Sequence, residues 1–298
     1  MDISKLALLC DVADTKNLTL SAERMGYTQS GVSHAISKLE AEMGIPIIKR
    51  TKHGVELTSE GTLLMPYIRL VVTHSQRLED VIDSILGLQR GSICIGTYCS
   101  IASQWLPAII QCYQQLYPNI AIRIREGGIR DVERWLYEGS IDFGFLSWKK
   151  NQNFKFLSLA RDPLYAILPK DYPLPEDHQK QFPIQAFADY PFIASENGVD
   201  HDVNAALEQS KVIPMTSFTC HDDHTIIPMV EKGLGISLLP DMFLKGQDAN
   251  IWKLPVTPCS VRTLGIGILS EKTLSTCSKA FIKLSQKMIP ELNSSESN

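Results

Sequence analysis

Residues 18–39 read LTLSAERMGYTQSGVSHAISKL, and the rest of the chain is understood from this stretch outward. Helix rules divide it into two short helices joined by a tight turn. Asn17 or Thr19 caps the first, which carries Leu20, Ala22 and Met25 towards a core. Gly26 stands at its end, where a residue tolerant of positive φ fits without strain. Thr28 then offers a hydroxyl as the next N-cap. In the second helix Val32, Ala35, Ile36 and Leu39 recur at the spacing of a buried face, and Gln29, Ser30, Ser33, His34 and Lys38 fall opposite. Such a polar face suits the base edges and phosphates of a major groove. Ala22, Gly26 and Val32 have the separations of a helix-turn-helix, whose small residues let the helices cross closely. A plain helical hairpin with a solvated face would share this pattern, so the flanking residues decide.

Residues 44–61 read GIPIIKRTKHGVELTSEG. Lys49, Arg50, Thr51, Lys52 and His53 lie between apolar residues 45–48 and the Gly54-Val55 turn, with no acid before Glu56. A basic hairpin beside a recognition helix is a wing, placed to touch phosphates through Lys49, Arg50, Thr51 and Lys52. With these pieces in order, residues 1–90 resemble the N-terminal region of the LysR-type transcriptional regulators. The matching string is SAERMGYTQSGVSHAISKLEAEMGIPIIKRTKHGVELTSEG, followed by a long helix. Two departures stand out: Leu18 replaces a usual aromatic in the core, and His34 replaces a frequent arginine on the reading face. The resemblance implies double-stranded promoter or operator DNA as partner, a homodimer or homotetramer, and a small-molecule effector. RNA polymerase joins these partners if the chain activates transcription.

The 298 residues provide for two or three domains, with 44% hydrophobic and 21% charged residues, as in ordinary globular proteins. Net charge is −4, and residues 1–58 hold seven Lys/Arg against seven Asp/Glu. DNA affinity therefore has to come from local placement of charge, not from bulk attraction. The acids Asp2, Asp11 and Asp14 argue against a secretory signal, and no stretch reaches the roughly 18 apolar residues a membrane span requires. Seven scattered cysteines without a CxxC pair fit reduced thiols in a cytoplasm.

The expected fold class is α/β: an all-α winged helix-turn-helix with a long linker helix, then a two-lobed α/β domain. Residues 3–13 read as a helix behind the helix-turn-helix, with Ile3, Leu6, Leu9, Cys10 and Ala13 on one face. From Thr58 to about Leu88 a longer helix carries Leu64, Tyr67, Val71, Leu78, Val81 and Ile85 as a stripe for a second chain. Pro66 marks a kink or the end of its first turns. Beyond Gly91, strands at 92–97, 120–125 and 141–146 alternate with helices at 104–116 and 130–138, the pattern of βαβ units and a mostly parallel sheet. Extended segments follow at 156–160 and 164–169. A second set holds strands at 192–195, 218–220 and 235–239 with helices at 202–210 and 224–232, and residues 264–269 and 274–289 return to the first half. The expected division is a DNA-binding domain at 1–58, a linker and dimerisation helix at 59–90, and an effector domain at 91–298. Its lobes are 91–160 with 266–298, and 161–265. The pieces LPAIIQCYQQLYPNIAIRI, LYEGSIDFGF and MVEKGLGISLLP are similar to periplasmic-binding-protein-like effector domains of the same family.

Small ligands settle in such a cleft at strand ends and helix starts. The candidates from the first lobe are Thr97, Ser100, Gly128, Ile129, Leu146 and Ser147; from the second, Ser195, Asn197, His221 and Asp222. The family resemblance singles out Ser100, at the start of a helix, and Ile129, where relatives often carry a hydroxyl. Ser100 also fits a plain N-cap. The run His221-Asp222-Asp223-His224, with His201 further off, resembles a divalent-metal ligand set, but acids also favour a helix start for the dipole alone. Cys99 or Cys220 at strand ends would serve a thiol sensor only with a depressed pKa. No cofactor or metal is expected. No Ser/His/Asp order, P-loop or GxGxxG follows a strand, so an enzyme has no supporting constellation. A two-lobed solute-binding protein is the alternative of another class, and residues 1–90 argue against it.

Overall fold

The computed structural model describes residues 1–52, 54–85, 91–175, 178, 180–196 and 200–295. Helix α1 (Ile3–Thr15) starts at Asp2, whose carboxylate accepts from Ser4 N at 2.9 Å. It buries Leu6, Leu8, Leu9, Cys10 and Val12; Leu8 and Val12 lie off the single face expected, because α2, α3 and α4 all pack on the helix. Ile3 is left 46% exposed. Helix α2 (Leu18–Met25) is capped by Asn17, which accepts from Thr19 N and Leu20 N. It ends at Gly26, φ +72°. Leu18 and Ala22 point inward, whereas Leu20 and Met25, expected in the core, are exposed. An eight-residue helix buries one narrow stripe, and Leu18 and Ala22 fill it.

Helix α3 (Gln29–Met43) opens on Thr28, whose hydroxyl accepts from Gly31 N at 3.1 Å. Val32, Ile36 and Leu39 are at most 1% exposed. Near its end Glu40 turns back to accept from Ile47 N and Ile48 N, fixing where the wing leaves the helix. The wing is an antiparallel pair, β1 (Ile48–Thr51) and β2 (Gly54–Leu57). Gly54 has φ +124°, and a Cβ there would overlap the Lys16 carbonyl, which accepts from Val55 N at 2.8 Å. The wing is thus docked on the end of α1. His53 lies outside the described residues.

Thr58 caps α4 (Ser59–Ile85), accepting from Gly61 N at 2.9 Å while donating to Pro46 O. The 27-residue helix is about 40 Å long and continues through Pro66. Met65 and Ile68 complete the winged domain's core, with Leu64 packed beside them. Leu63, Tyr67, Val71, Leu78 and Ile82 lie exposed on α4. The side chains of Val81 and Ile85, and Leu88, fall outside the described residues. Leu64, expected on the outward stripe, is the exception.

Strand β3 (Gly91–Thr97) leads into α5 (Cys99–Gln104) and α6 (Leu106–Leu116). One helix was expected over 104–116; the chain breaks at Trp105, with Pro107 in the first turn of α6. Then come β4 (Ile120–Glu126), α7 (Ile129–Tyr137) and β5 (Phe143–Ser147). β6 (Lys155–Pro169) is a single fifteen-residue strand where two short segments were expected. Its first half pairs with β12 (Val261–Ile268) and its second with β10 (Ser237–Pro240) and β11 (Ile251–Thr257). The remaining elements are β7 (Phe182–Pro183), β8 (Pro191–Ser195), α8 (Asp200–Gln209), β9 (Met215–Cys220), α9 (Ile226–Glu231), α10 (Asp241–Leu244) and α11 (Thr276–Ser295).

The large sheet runs β4-β3-β5-β12-β6-β11-β7, and β8 pairs with β9 apart from it. It is mixed, not mostly parallel: β3 runs parallel to β4 and β5, but β12 is antiparallel to both neighbours. β12 enters between β5 and β6 and runs against both, which ends the parallel run of β4, β3 and β5. Two cores result. One gathers Ile95, Trp105, Tyr113, Phe143, Phe145 and Phe281; the other gathers Ile167, Phe182, Phe187, Phe192, Val230 and Leu239. β6 crosses from one to the other.

Candidate functional site

The outer face of α3 presents Gln29, Ser30, His34 and Lys38 to solvent, with Ser33 half-buried between them. Thr28, also exposed, is occupied as the cap and lies 3.2 Å from the Ser30 hydroxyl. The wing joins this face: Arg50 Nη2 donates to Ser33 Oγ at 2.6 Å. Lys52 is exposed, and Thr51 donates to Gly54 O across the turn. Lys49 lies 3.1 Å from Glu56, both more than half exposed, so water and salt screen the pair. Helix and wing therefore offer one continuous polar and basic surface. An α-helix fits a major groove about 12 Å wide.

A second cluster lies where the lobes meet. Thr97, at the end of β3, is fully buried and donates to Tyr98 O at 3.2 Å; Gly127 N donates to Thr97 O, bringing the Gly127-Gly128 backbone beside it. Ser147, at the end of β5, is also fully buried; its N–H donates to the Tyr98 hydroxyl at 3.1 Å. Ser100 is 4% exposed and accepts from Arg262 Nη2 at 3.3 Å. Arg262 Nε donates to Asp162 at 2.8 Å, and its Nη1 lies 3.5 Å from Asp202 at the start of α8. The other Asp162 oxygen accepts from Met242 N. Burial pulls the Arg262 pKa down, but Asp162 and Asp202 more than reverse it and leave it above the ordinary arginine value. Burial pushes the Tyr98 hydroxyl far above the usual phenol range. Tyr98, Asp162, Asp202 and Arg262 were not among the sequence candidates. The available signal was a charged residue at the head of the otherwise apolar VRTLGIGI strand.

Some candidates stand elsewhere. The side chains of Ile129 and Leu146, 3% and 0% exposed, are apolar members of the first hydrophobic core, unlike the hydrogen-bonded polar groups of the interlobe cluster. Both follow the inward period of their elements, packed against Val132, Phe145 and their neighbours. Ser195 is half-buried at the end of β8, His221 and Asp222 are exposed, and Asn197 lies outside the described residues. Asp222 accepts from His224 N at 3.0 Å, opening a 3₁₀ turn, as the dipole reading required. His224 Nε2 meets Cys99 Sγ at 3.2 Å across the lobes. Burial, with Glu126, Asp222 and Asp223, raises the Cys99 pKa, which disfavours a thiolate sensor there. Among the described residues no three His, Cys, Asp or Glu side chains gather to hold a metal, and no helix is long and apolar enough to cross a membrane.

A winged helix-turn-helix carried by a long helix into a two-lobed domain defines a ligand-responsive DNA-binding protein. Residues 3–62 match the bacterial regulatory helix-turn-helix protein, lysR family, and residues 86–289 match the LysR substrate binding domain. The chain belongs to the LysR family of transcriptional regulators. It is 27% identical to the HTH-type transcriptional regulator YvbU of Bacillus subtilis, with 97% of this chain and 99% of YvbU covered. Full-length OxyR from Pseudomonas aeruginosa shares its fold at a TM-score of 0.74 and 20% identity, covering 97% of this chain and 94% of OxyR. CbnR, solved in complex with its target DNA, does so at 0.65 and 15%, covering 98% and 100%.

Proposed function

We propose that this regulator binds operator DNA as a two-fold dimer or dimer of dimers, reads bases with α3, and answers to a small molecule between its lobes. The observation that carries the reading is the seating of wing Arg50 on Ser33. It joins the outward face of α3 to the wing as one surface. Gln29, Ser30, Ser33, His34 and Lys38 take base edges and nearby phosphates; Thr28, Lys49, Arg50, Thr51 and Lys52 take the backbone. The neighbour CbnR was solved on DNA with the same fold, which supports this use of the winged domain. The exposed Leu63, Tyr67, Val71, Leu78 and Ile82 of α4 supply the dimer contact, and two chains then match two half-sites.

The effector takes the floor formed by Ser100, Ser147, Tyr98 and Arg262. Asp202 holds Arg262 at 3.5 Å, longer than a well-made charged hydrogen bond, and is the contact an effector oxygen replaces. Because Arg262 also donates to Ser100 of α5 in the other lobe, exchanging the Asp202 contact alters the link that joins α8 to α5. An effector acts only through such a difference in affinity between arrangements. Sedimentation of Leu78→Glu tests the dimer: smaller species are expected, and an unchanged oligomer moves the interface off α4. Calorimetry of a bound effector against Ser100→Ala tests the cleft; equal affinity in both proteins removes Ser100 from it.

A further inference from the structure

A separate cavity of about 760 Å³ lies between the winged domain and the first lobe. Its walls come from α1 and α4 on one side and from β3, β4 and residues 139–142 on the other. The two bodies are joined beside it, where Thr73 of α4 donates to Gly139 O at 2.7 Å. Its volume is in the range of small-molecule pockets, and it is distinct from the interlobe cluster around Ser100 and Arg262.

Charge on these walls is unequally satisfied. Asp14 is held by both Arg69 Nη atoms at 2.6 and 3.2 Å, and Asp11 pairs with Arg24 at 3.3 Å through one oxygen, its buried Oδ2 having no hydrogen-bond partner among the described residues. Asp142 accepts from Cys94 N at 2.7 Å. Arg123 and Arg125, two residues apart on β4, also line the cavity, and among the described residues neither makes an ion pair. Arg125 Cζ sits over the Trp135 ring, 4.2 Å from its centre, a cation–π contact that holds the guanidinium. Burial pulls its pKa below the ordinary arginine value; Asp14, the largest opposing influence, acts on it without a hydrogen bond. Among the described residues four arginines face three aspartates around the cavity, with Arg123 and Arg125 on β4.

We infer that this cavity binds a small dianion, a phosphorylated or dicarboxylic metabolite, between Arg123 and Arg125. Residues at i and i+2 of a strand share a face and stand about 6.5–7 Å apart, a separation that two carboxylates or two phosphoryl groups span. Guanidinium forks match the oxygens of either group. A ligand there touches β4 of the first lobe and α1 or α4 of the winged domain together. It therefore fixes the DNA-reading unit relative to the effector domain, and DNA binding and anion binding influence one another by the same factor.

The test uses the full-length protein and two probes, inorganic pyrophosphate and succinate, titrated by calorimetry with ionic strength held constant by sodium chloride. The inference expects saturable binding of at least one probe, with the better probe naming the source. Arg123→Gln, at an exposed position, should weaken it about ten- to hundredfold. Arg125→Lys keeps the charge and the packing on Trp135 but loses the fork, and should weaken it by a smaller factor. Arg130→Gln, an exposed arginine outside the cavity, should leave it unchanged. Absence of saturable binding by both probes overturns the inference. So does binding that survives both Arg123→Gln and Arg125→Lys, or that Ser100→Ala abolishes, which would put the anion in the interlobe cleft.

Discussion

The winged domain and the interlobe cluster solve opposite problems. On α3 the proposed base-reading groups face outward from a helix whose inner Val32, Ile36 and Leu39 are buried, so each outward residue is free to change partner. Between the lobes the proposed effector-binding groups are themselves buried, and Ser100, Asp162 and Arg262 are each about 4% exposed. Removing a group from the first surface changes binding with little effect on folding. Removing one from the second leaves a charge without its partner. Stability should therefore separate the two regions more sharply than any comparison of sequence.

The largest effect is expected at Asp162→Ala. It strips the close partner from Arg262, and an uncompensated buried charge costs about 3–5 kcal/mol. A urea melt of the whole chain should show the effector region unfolding far earlier, while the winged domain keeps its own transition. An unchanged melt would mean that water reaches Arg262 and that the cluster is not closed. Thr28→Ala comes next, since losing this cap costs about 1 kcal/mol in α3. The same melt should show that loss in the winged transition alone.

Arg50→Ala should barely alter stability but lower affinity for specific and unrelated duplexes alike, reducing the salt slope of binding by about one. Anisotropy at several salt concentrations measures this; an unchanged slope would remove Arg50 from the backbone contacts. A further effect concerns pH. Burial pushes the thiols of Cys10 and Cys94 up to about 11. The unfolded chain then loses these protons first, so stability present below about pH 8.5 should fall as pH rises through 9 to 11. Replacing both by alanine should flatten that fall in an alkaline denaturation series.

The same contrast explains what could be read in advance. The winged domain was legible because its signals are local: Asn17, Gly26 and Thr28 are caps whose partners lie within four residues. Its errors were local too, as with Leu20 and Met25 on a helix too short to bury them. In the effector region strand and helix order was legible, but direction was not. Whether β12 runs antiparallel depends on which strand receives it, and no residue in VRTLGIGI states that. The cluster at the cleft draws on positions 98, 100, 147, 162, 202 and 262, which no spacing rule connects. Ser100 was a candidate through the family resemblance and its place at a helix start. Its partner Arg262 lies just before residues 264–269, the segment expected to return to the first half, and strand ends and helix starts such as Leu146 and Ile129 also carry core residues.

The most direct test of the central claim, that α3 reads sequence while the wing holds the backbone, is a paired affinity measurement. A duplex selected from random sequence by the wild-type protein is compared with a scrambled duplex, at one salt concentration, for Gln29→Ala and His34→Ala. Base contacts are worth about 1–3 kcal/mol each, so affinity for the selected duplex should fall roughly ten- to hundredfold for at least one variant, with scrambled-duplex affinity unchanged. Equal losses on both duplexes, or no loss on either from both variants, would contradict the assignment of α3 as the reading helix.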